Sequence, residues 1–278
     1  MDWKNLSKRA VVAVVAAPLI LWAAWRGGVA FFVFIEAIIL LGVLEFYQLA
    51  TAKGTHPNRV LGVIAGLTFG AQIYFRDLAA PEIWLTPMLL VVLLVLVELF
   101  RNKGSALLNL GSTLLGFAYV AGLWSFLLLI RELPRGTNIS YESAGTWLVM
   151  LLATIWVCDT AAYFTGLAFG RHKLFERVSP KKTWEGAIGG LIFAILMAAA
   201  AHYWFVRDLR LIDSLVVGFI IGTIGQLSDL AESLFKRDAG VKDSSGLIPG
   251  HGGVLDRFDS EMLVAPLVYL YLLWAIPH

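Results

Sequence analysis

The sequence contains few charged residues and only one cysteine. Asp, Glu, Lys and Arg make up 15% of its 278 residues and hydrophobic residues 59%, whereas a soluble domain carries about 25% charged residues. This composition excludes an ordinary soluble domain and indicates a polytopic membrane protein. Cys158 has no partner for an internal disulfide, so no oxidising compartment is implied. It lies in an apolar segment, where a cysteine is typically a small buried residue.

Long polar segments are also missing, which excludes a separate soluble domain. The sequence has no internal repeat or linker.

Apolar runs predict an all-α fold with about nine transmembrane helices. The first of these is predicted to be an uncleaved helix that follows a basic N-terminus. The predicted spans are 10–25, 29–48, 60–75, 83–100, 107–130, 147–169, 187–205, 215–235 and 262–276. Several are shorter than the roughly 20 residues that cross a bilayer, so the helices are expected to extend beyond these limits.

Lys and Arg are distributed unevenly among the loops between these spans. With the N-terminus in the cytoplasm, sixteen of the 22 Lys and Arg residues fall on the inner side and six on the outer side. Positive residues accumulate in the cytoplasmic loops of membrane proteins. The sequence therefore predicts a cytoplasmic N-terminus, and it predicts that the loop 233–259 also lies in the cytoplasm.

The predicted organisation has three segments. Residues 1–106 are N-terminal spans that form a scaffold and a lipid-facing wall, and residues 107–183 are middle spans with a basic cytoplasmic loop. Residues 184–278 are the catalytic spans, with the loop 233–259. Glycine pairs at fourfold spacing, Gly186 with Gly190 and Gly218 with Gly222, predict closely packed helices.

The loop 233–259 concentrates charge in an otherwise apolar chain. Its cations and carboxylates are Lys236, Arg237, Lys242, Arg257, Asp238, Asp243, Asp256 and Asp259. Charge of this density beside a bilayer indicates a charged ligand. The mixture of cations with carboxylates indicates a phosphate together with a metal ion.

A polar stripe leads from the eighth span into this loop. If the helix continues past Gln226, four residues share one face: Asp229, Glu232, Ser233 and Lys236. For Glu232, a salt bridge with Lys236 and a functional role are both open. Asp229 lies deeper and has no basic residue four positions later, so a metal ion is the favoured partner.

Glycines inside the loop permit tight, left-handed turns that present backbone N–H groups to an anion. They are Gly246, Gly250, Gly252 and Gly253, with Pro249 beside them. Lys242-Asp243 precedes this cluster and Asp256-Arg257-Phe258-Asp259 follows it, which adds phosphate-binding cations and metal-ligating carboxylates. His251 is either a turn residue or a substrate contact, and its neighbours favour the contact.

A second basic loop, 171–186, contains the run Ser179-Pro180-Lys181-Lys182-Thr183. Basic clusters beside a membrane commonly set topology or attract anionic lipids. Here Ser179 or Thr183 is expected to cap the seventh helix, whose N-terminus then faces a phosphate. Upstream, Asp159 is either a hydrogen-bonded residue of the bundle interior or a catalytic carboxylate.

These motifs resemble the phosphatidate cytidylyltransferases, also called CDP-diacylglycerol synthases. The signature runs from residue 233 to residue 259 and includes Lys242-Asp243, Pro249-Gly250-His251-Gly252-Gly253 and Asp256-Arg257-x-Asp259. The segments 159–170 and 179–186 are also similar to the family, so the resemblance covers at least residues 156–261. Ser228 is a departure, because family members often carry glycine before the aspartate.

The resemblance implies that CTP and phosphatidic acid react to give CDP-diacylglycerol and pyrophosphate. It implies magnesium as the cofactor, with potassium as a candidate second ion, and a homodimer in a bacterial inner membrane with its active site on the cytoplasmic side. The protein is expected to contact membrane lipid, and no nucleic-acid partner is expected.

The resemblance also assigns roles to residues. The expected metal ligands are Asp229 and Asp256, with neighbouring or additional ligands at Asp243 and Asp259. The expected phosphate-binding residues are Lys182, Lys236, Arg237, Lys242 and Arg257. The residues expected to surround the triphosphate are Gly250, His251, Gly252 and Gly253. The remaining candidate substrate-binding residues are Asp159, Ser179, Lys181, Thr183, Glu232 and Ser233.

Three alternative functions are less consistent with the sequence. An ion-coupled transporter would carry intramembrane carboxylates near the bilayer midplane, whereas the densest charge here lies in a loop. Glu36, Glu45 and Glu98 are therefore predicted to be helix-packing or near-interface residues. A phosphatidyltransferase normally displays an Asp-Gly-x-x-Ala-Arg block, which this sequence lacks. Residue spacing alone does not exclude a CTP-dependent lipid kinase, but the match to the family signature at residues 233–259 argues against it.

Overall fold

The structure of the protein is a computed structural model that describes residues 3–75, 81–248, 250 and 252–275. Most of these residues are helical. The helices are α1 (Trp3–Arg26), α2 (Gly28–Ala52), α3 (Arg59–Phe75), α4 (Leu85–Arg101), α5 (Ala106–Gly116), α6 (Leu123–Arg131), α7 (Tyr141–Phe169), α8 (Trp184–Trp204), α9 (Leu211–Ile220), α10 (Gln226–Asp238) and α11 (Asp259–Ala275). π-Helical turns join α5 to α6 at Phe117–Gly122 and α9 to α10 at Ile221–Gly225, so each pair forms one long segment.

Six segments in the described part of the chain are long and apolar enough to cross a membrane. They are Gly28–Ala52, Glu82–Arg101, Ala106–Arg131, Tyr141–Phe169, Trp184–Trp204 and Leu211–Asp238, and two shorter apolar helices cover Val14–Arg26 and Arg59–Phe75. The predicted all-α membrane fold is confirmed. The count of nine spans stays a prediction, because the helix at the ninth run, α11, has only 17 residues.

The helices extend beyond the apolar runs, as expected from the length needed to cross a bilayer. Helix α2 has 25 residues and α7 has 29. Helix α4 exposes apolar side chains along much of its length, including Val92, Leu96 and Phe100. In a membrane protein such a surface faces lipid, because acyl chains solvate it at no hydrophobic cost.

The basic loop 171–186 contains a small antiparallel sheet that the sequence did not predict. Strand β1 (Lys173–Phe175) pairs with β2 (Ser179–Thr183). Thr183 then caps α8, since its Oγ1 accepts a hydrogen bond of 3.2 Å from the Gly186 N–H. Of the two predicted caps, Thr183 is confirmed. Ser179 instead begins strand β2, five positions before the first residue of α8, which is too far for an N-cap.

The described residues form two compact units. The first lies within 1–23, 27–129 and 235–258, and the second within 24–26, 130–234 and 259–278. Helix α10 contributes its first nine residues to the second unit and its last four to the first. The three-part division of the sequence stays a prediction.

Glycines allow the helices of the second unit to pack closely, as the fourfold spacing predicted. A Cβ atom on Gly186 would lie 2.7 Å from the Ala162 carbonyl oxygen, and one on Gly218 would lie 2.9 Å from Ala198 Cβ. Helices α7, α8 and α9 therefore approach at distances that only glycine permits at these positions.

Replacement of Gly222 by alanine is expected to destabilise this packing. The new Cβ would lie 2.7 Å from Leu191 Cα, and overpacking of this kind costs roughly 1–3 kcal/mol. The melting temperature in detergent should therefore fall. Gly111→Ala is the control, because a Cβ there meets no atom within 4 Å. An equal fall in both variants would contradict the packing argument.

Candidate active site

The glycine-rich loop of the first unit reverses direction around Gly250. The Ile248 N–H donates a 2.8 Å hydrogen bond to the Gly252 carbonyl. Gly250 and Gly252 have φ values of 78° and 82°, a region that residues with a Cβ rarely adopt. The predicted left-handed turns are confirmed at these two positions. His251 lies outside the described residues, so its predicted substrate contact stays a prediction.

Asp256 organises the loop from within. Its Oδ1 pairs with Lys236 Nζ at 2.6 Å, and its Oδ2 accepts hydrogen bonds from the Ser244 N–H at 2.9 Å and the Gly253 N–H at 2.7 Å. Its side chain is only 5% exposed. Burial of a carboxylate is tolerated when the charge is paired and hydrogen-bonded, and both conditions are met here.

The same contacts decide the pKa of Asp256. Burial acts to raise this pKa, but the hydrogen bonds from Lys236, Gly253 and Ser244 outweigh it, and the pKa of Asp256 lies below its ordinary value. The carboxylate is therefore ionised throughout the neutral range.

This lowered pKa predicts a pH-independent contribution to stability near neutrality. The stability gained from ionised Asp256 is present above its unfolded pKa of about 3.9 and is lost only as the pH falls through the lower folded value. The difference in melting temperature between the wild type and Asp256→Asn should thus be constant between about pH 8 and about pH 5. A difference that shrinks across this range would contradict the assignment.

Glu45 of helix α2 also holds the loop, and the sequence did not reveal this role. Its Oε1 accepts from Ser245 Oγ at 2.6 Å and from the Val254 N–H at 2.9 Å. Its Oε2 accepts from Ser244 Oγ at 2.9 Å and from the Leu255 N–H at 2.8 Å. Glu45 is 3% exposed, and its role in holding the loop goes beyond the predicted role of a helix-packing or near-interface residue.

Two glycines are required by these carboxylates. A Cβ on Gly252 would lie 2.6 Å from Asp256 Oδ2, and one on Gly253 would lie 2.5 Å from each Glu45 oxygen and would overlap Ser244 Oγ. The N–H groups of residues 253–255 thus bind carboxylates of the protein. Gly246 has open space around it, so the structure gives it no such requirement.

A cavity of about 500 Å³ opens beside this turn. Its lining residues are Lys242, Asp243, Ser245, Gly246, Ile248, Gly250, Gly252 and Arg257. The cations Lys242 and Arg257 are exposed, and both are able to form charge-assisted hydrogen bonds with phosphate oxygens. The predicted phosphate-binding cations on either side of the glycines therefore share one cavity.

In the second unit, Lys182 and Asp229 form an ion pair. Lys182 Nζ lies 2.6 Å from Asp229 Oδ2, and Ser233 Oγ donates to Asp229 Oδ1 at 3.3 Å. Strand β2 places Lys182, and helix α10 places Asp229 and Ser233. Because Lys182 lies 47 positions before Asp229, helical spacing within α10 does not reveal it as a partner.

Acidic residues collect around Asp259 in the same unit. The carboxylates that act on it electrostatically are Asp229, Glu232, Asp159 and Glu261. Ser260 Oγ lies 3.5 Å from Asp159 Oδ2, and Ser228 Oγ donates to the Asp259 carbonyl and accepts from the Leu263 N–H. Ser228, the departure from the family pattern, thus joins α10 to α11. Such a concentration of negative charge favours a bound cation.

Two further predicted cations are Lys181 and Arg237. Lys181 is exposed on β2, and Arg237 Nη1 donates to the Val241 carbonyl at 2.9 Å. Within the described part of the chain, no three His, Cys, Asp or Glu side chains are arranged to hold a metal ion. The predicted metal ligands Asp229 and Asp256 each pair with a lysine instead, and their carboxylate chemistry still suits magnesium.

Comparison with known proteins gives consistent results. A model of the Cytidylyltransferase family matches residues 7–275. The chain is 36% identical to a phosphatidate cytidylyltransferase of Brucella suis, over 96% of this chain and 93% of the relative. It is 35% identical to one of Haemophilus influenzae, over 96% of each chain, and 32% identical to one of Synechocystis, over 98% of each chain.

The fold and the charged loop define a polytopic, helical integral membrane protein that carries a cavity lined by charged residues. The family model and the curated relatives match almost the whole chain, so they also define the family within this class. The chain belongs to the Cytidylyltransferase family and is an enzyme of the nucleotidyltransferase type. The resemblance inferred from the sequence is confirmed, and the transporter alternative is set aside.

Proposed function

We propose that the protein transfers the cytidylyl group of CTP to phosphatidic acid. An oxygen of the lipid phosphate attacks the α-phosphorus of CTP, the bond from that phosphorus to the bridging oxygen breaks, and pyrophosphate leaves. Relatives that match nearly the full length carry the name phosphatidate cytidylyltransferase. The observation that carries the proposal is the 500 Å³ cavity lined by Lys242 and Arg257, which provides cations for a polyphosphate.

The reaction needs alignment and charge neutralisation more than acid–base chemistry. The lipid phosphate is already ionised at neutral pH, so no strong general base is required. Two polyanions must be held together while negative charge develops on the leaving pyrophosphate. Lys242, Arg257 and Lys236 are the proposed phosphate-binding residues of the first unit, and Lys182 is that of the second.

Magnesium is proposed to bind at Asp229 and Asp256, and potassium is a candidate second ion. Bound magnesium would neutralise charge on the phosphates of CTP. The acidic group around Asp259 and the ionised state of Asp256 support a cation site. Lys182 and Lys236, which pair with these aspartates, are then proposed to bind phosphate oxygens.

We further propose a homodimer in a bacterial inner membrane, with the active site on the cytoplasmic side. The relatives from Brucella suis and Haemophilus influenzae are bacterial. The excess of Lys and Arg in the loops predicted to be inner supports the orientation, and CTP is available in the cytoplasm.

Label transfer tests the proposal directly. Purified protein is given phosphatidic acid with CTP labelled at either the α- or the γ-phosphate, in magnesium or in a chelator. Label should enter lipid only from the α-position and only with magnesium. Entry from the γ-position would identify a lipid kinase. No transfer from either position, by protein whose thermal unfolding shows that it is folded, would reject the proposed reaction.

A further inference from the structure

The first unit contains a second cavity, away from the glycine-rich loop. Its volume is about 330 Å³, and its lining residues are Thr51, His56, Pro57, Asn58, Arg59, Val60, Arg101 and Lys103. These residues belong to the connection from α2 to α3 and to the end of α4. Both regions are predicted to lie on the cytoplasmic side, at the membrane surface.

The α2–α3 connection is held rigidly by buried polar side chains. The His56 N–H donates to Asn109 Oδ1 at 2.7 Å, and the Asn58 N–H donates to Thr113 Oγ1 at 2.8 Å. Asn109 and Thr113 are each only 1% exposed. Arg101 Nη1 also donates to the His56 carbonyl at 2.7 Å. The cavity wall is therefore formed before any ligand arrives, which reduces the entropy lost on binding.

The lining carries positive charge that is not compensated locally. None of the lining residues is acidic. Arg101 pairs with Glu98, but among the described residues Arg59 and Lys103 form no salt bridge. Within the described part of the chain, the side-chain hydrogen bond of Arg59 is to the neutral Thr51 hydroxyl, at 3.1 Å. Two cations without a carboxylate partner, in a preformed cavity, favour an anion with several oxygen acceptors.

Apolar surface next to these cations indicates where the anion comes from. Val60, adjacent to Arg59, is 67% exposed, and Phe100, adjacent to Arg101, is 84% exposed. Side chains this apolar and this exposed on predicted spans lie against acyl chains. An anionic headgroup whose acyl chains contact Val60 and Phe100 would reach the cavity from the membrane.

We propose that this cavity is a second binding site, which takes a phosphate group. Its ligand is a phosphate borne by an anionic membrane lipid, and the same chemistry would admit soluble phosphate. The site holds none of the residues assigned to cytidylyl transfer. The inference therefore stands whether or not the proposed reaction is correct.

Lipid binding by four forms of the protein tests this site. Wild type, Arg59→Gln/Lys103→Gln and the control Arg26→Gln/Arg207→Gln are purified in neutral detergent and titrated with phosphatidylglycerol, then with phosphatidylcholine. Native mass spectrometry counts the bound lipids. The control removes the same charge from exposed positions that line neither cavity. Lys103→Gln alone is a milder variant, since the Lys103 side chain makes no hydrogen bond or salt bridge to another described residue.

The pocket double variant is expected to bind phosphatidylglycerol about tenfold more weakly, and Lys103→Gln about threefold more weakly. Phosphatidylcholine binding and the control variant should be unchanged. In a separate arm, inorganic phosphate is titrated against thermal unfolding. Stabilisation of the wild type but not of the pocket variant, without any lipid difference, would assign the site to soluble phosphate. Equal lipid and phosphate binding by all four forms would overturn the proposal.

Discussion

Asp256→Asn is expected to lower kcat/KM for CTP at least a thousandfold, the largest effect of any single substitution in this protein. The NH₂ group of asparagine takes the place of Oδ1 or Oδ2, and it cannot accept a hydrogen bond. The variant therefore loses either the bond from Lys236 or the bonds from Ser244 and Gly253. Each hydrogen bond to a charged group contributes roughly 1.5–3 kcal/mol, and a thousandfold corresponds to about 4 kcal/mol. Initial rates at varied CTP concentration measure the loss.

Asp238→Asn is the matched control for this substitution. Asp238 ends the helix that carries Lys236, but it is largely exposed, and among the described residues its one salt bridge is with Lys53. Exposed pairs of this kind contribute roughly 0–1 kcal/mol, so activity should stay within about threefold of the wild type. Activity of Asp256→Asn above a tenth of the wild-type value would show that Asp256 has no essential role.

Glu45→Gln is expected to lower kcat/KM for CTP about a hundredfold, mainly by raising KM for CTP. The carboxylate accepts four hydrogen bonds from the loop. A glutamine side chain has one oxygen, so its NH₂ group must face either the Val254 N–H or the Leu255 N–H. An unsatisfied buried donor costs about 1–3 kcal/mol, which displaces the loop that lines the CTP cavity. KM for phosphatidic acid should change little.

Glu36→Gln provides the control, because it makes the same chemical change on the same helix. Glu36 lies next to Gly70, and a Cβ on Gly70 would overlap its side chain. Among the described residues, Glu36 makes no hydrogen bond or salt bridge to the loop. Its variant should keep normal kinetic constants. If Glu45→Gln lowers kcat and leaves KM for CTP unchanged, the role of Glu45 in positioning the loop is wrong.

The sequence predicted local features of the site well and distant ones poorly. The cap at Thr183 and the turns at Gly250 and Gly252 were predictable, because each depends on residues within a few positions. The β1–β2 hairpin was missed, since Ser-Pro-Lys-Lys-Thr lacks the alternating apolar pattern of a strand. The ion pair of Lys182 with Asp229 was missed because 47 positions separate the two residues.

The sequence alone was enough to predict a helical membrane protein whose charged loop is typical of a known family. Hydropathy and motif spacing are properties of contiguous residues, so they can be read without coordinates. The carboxylates that hold this loop could be identified only from the tertiary structure. Glu45 lies 199 to 210 positions before its four partners. A buried acid on an apolar helix becomes a loop anchor only when folding brings unpaired backbone donors to it.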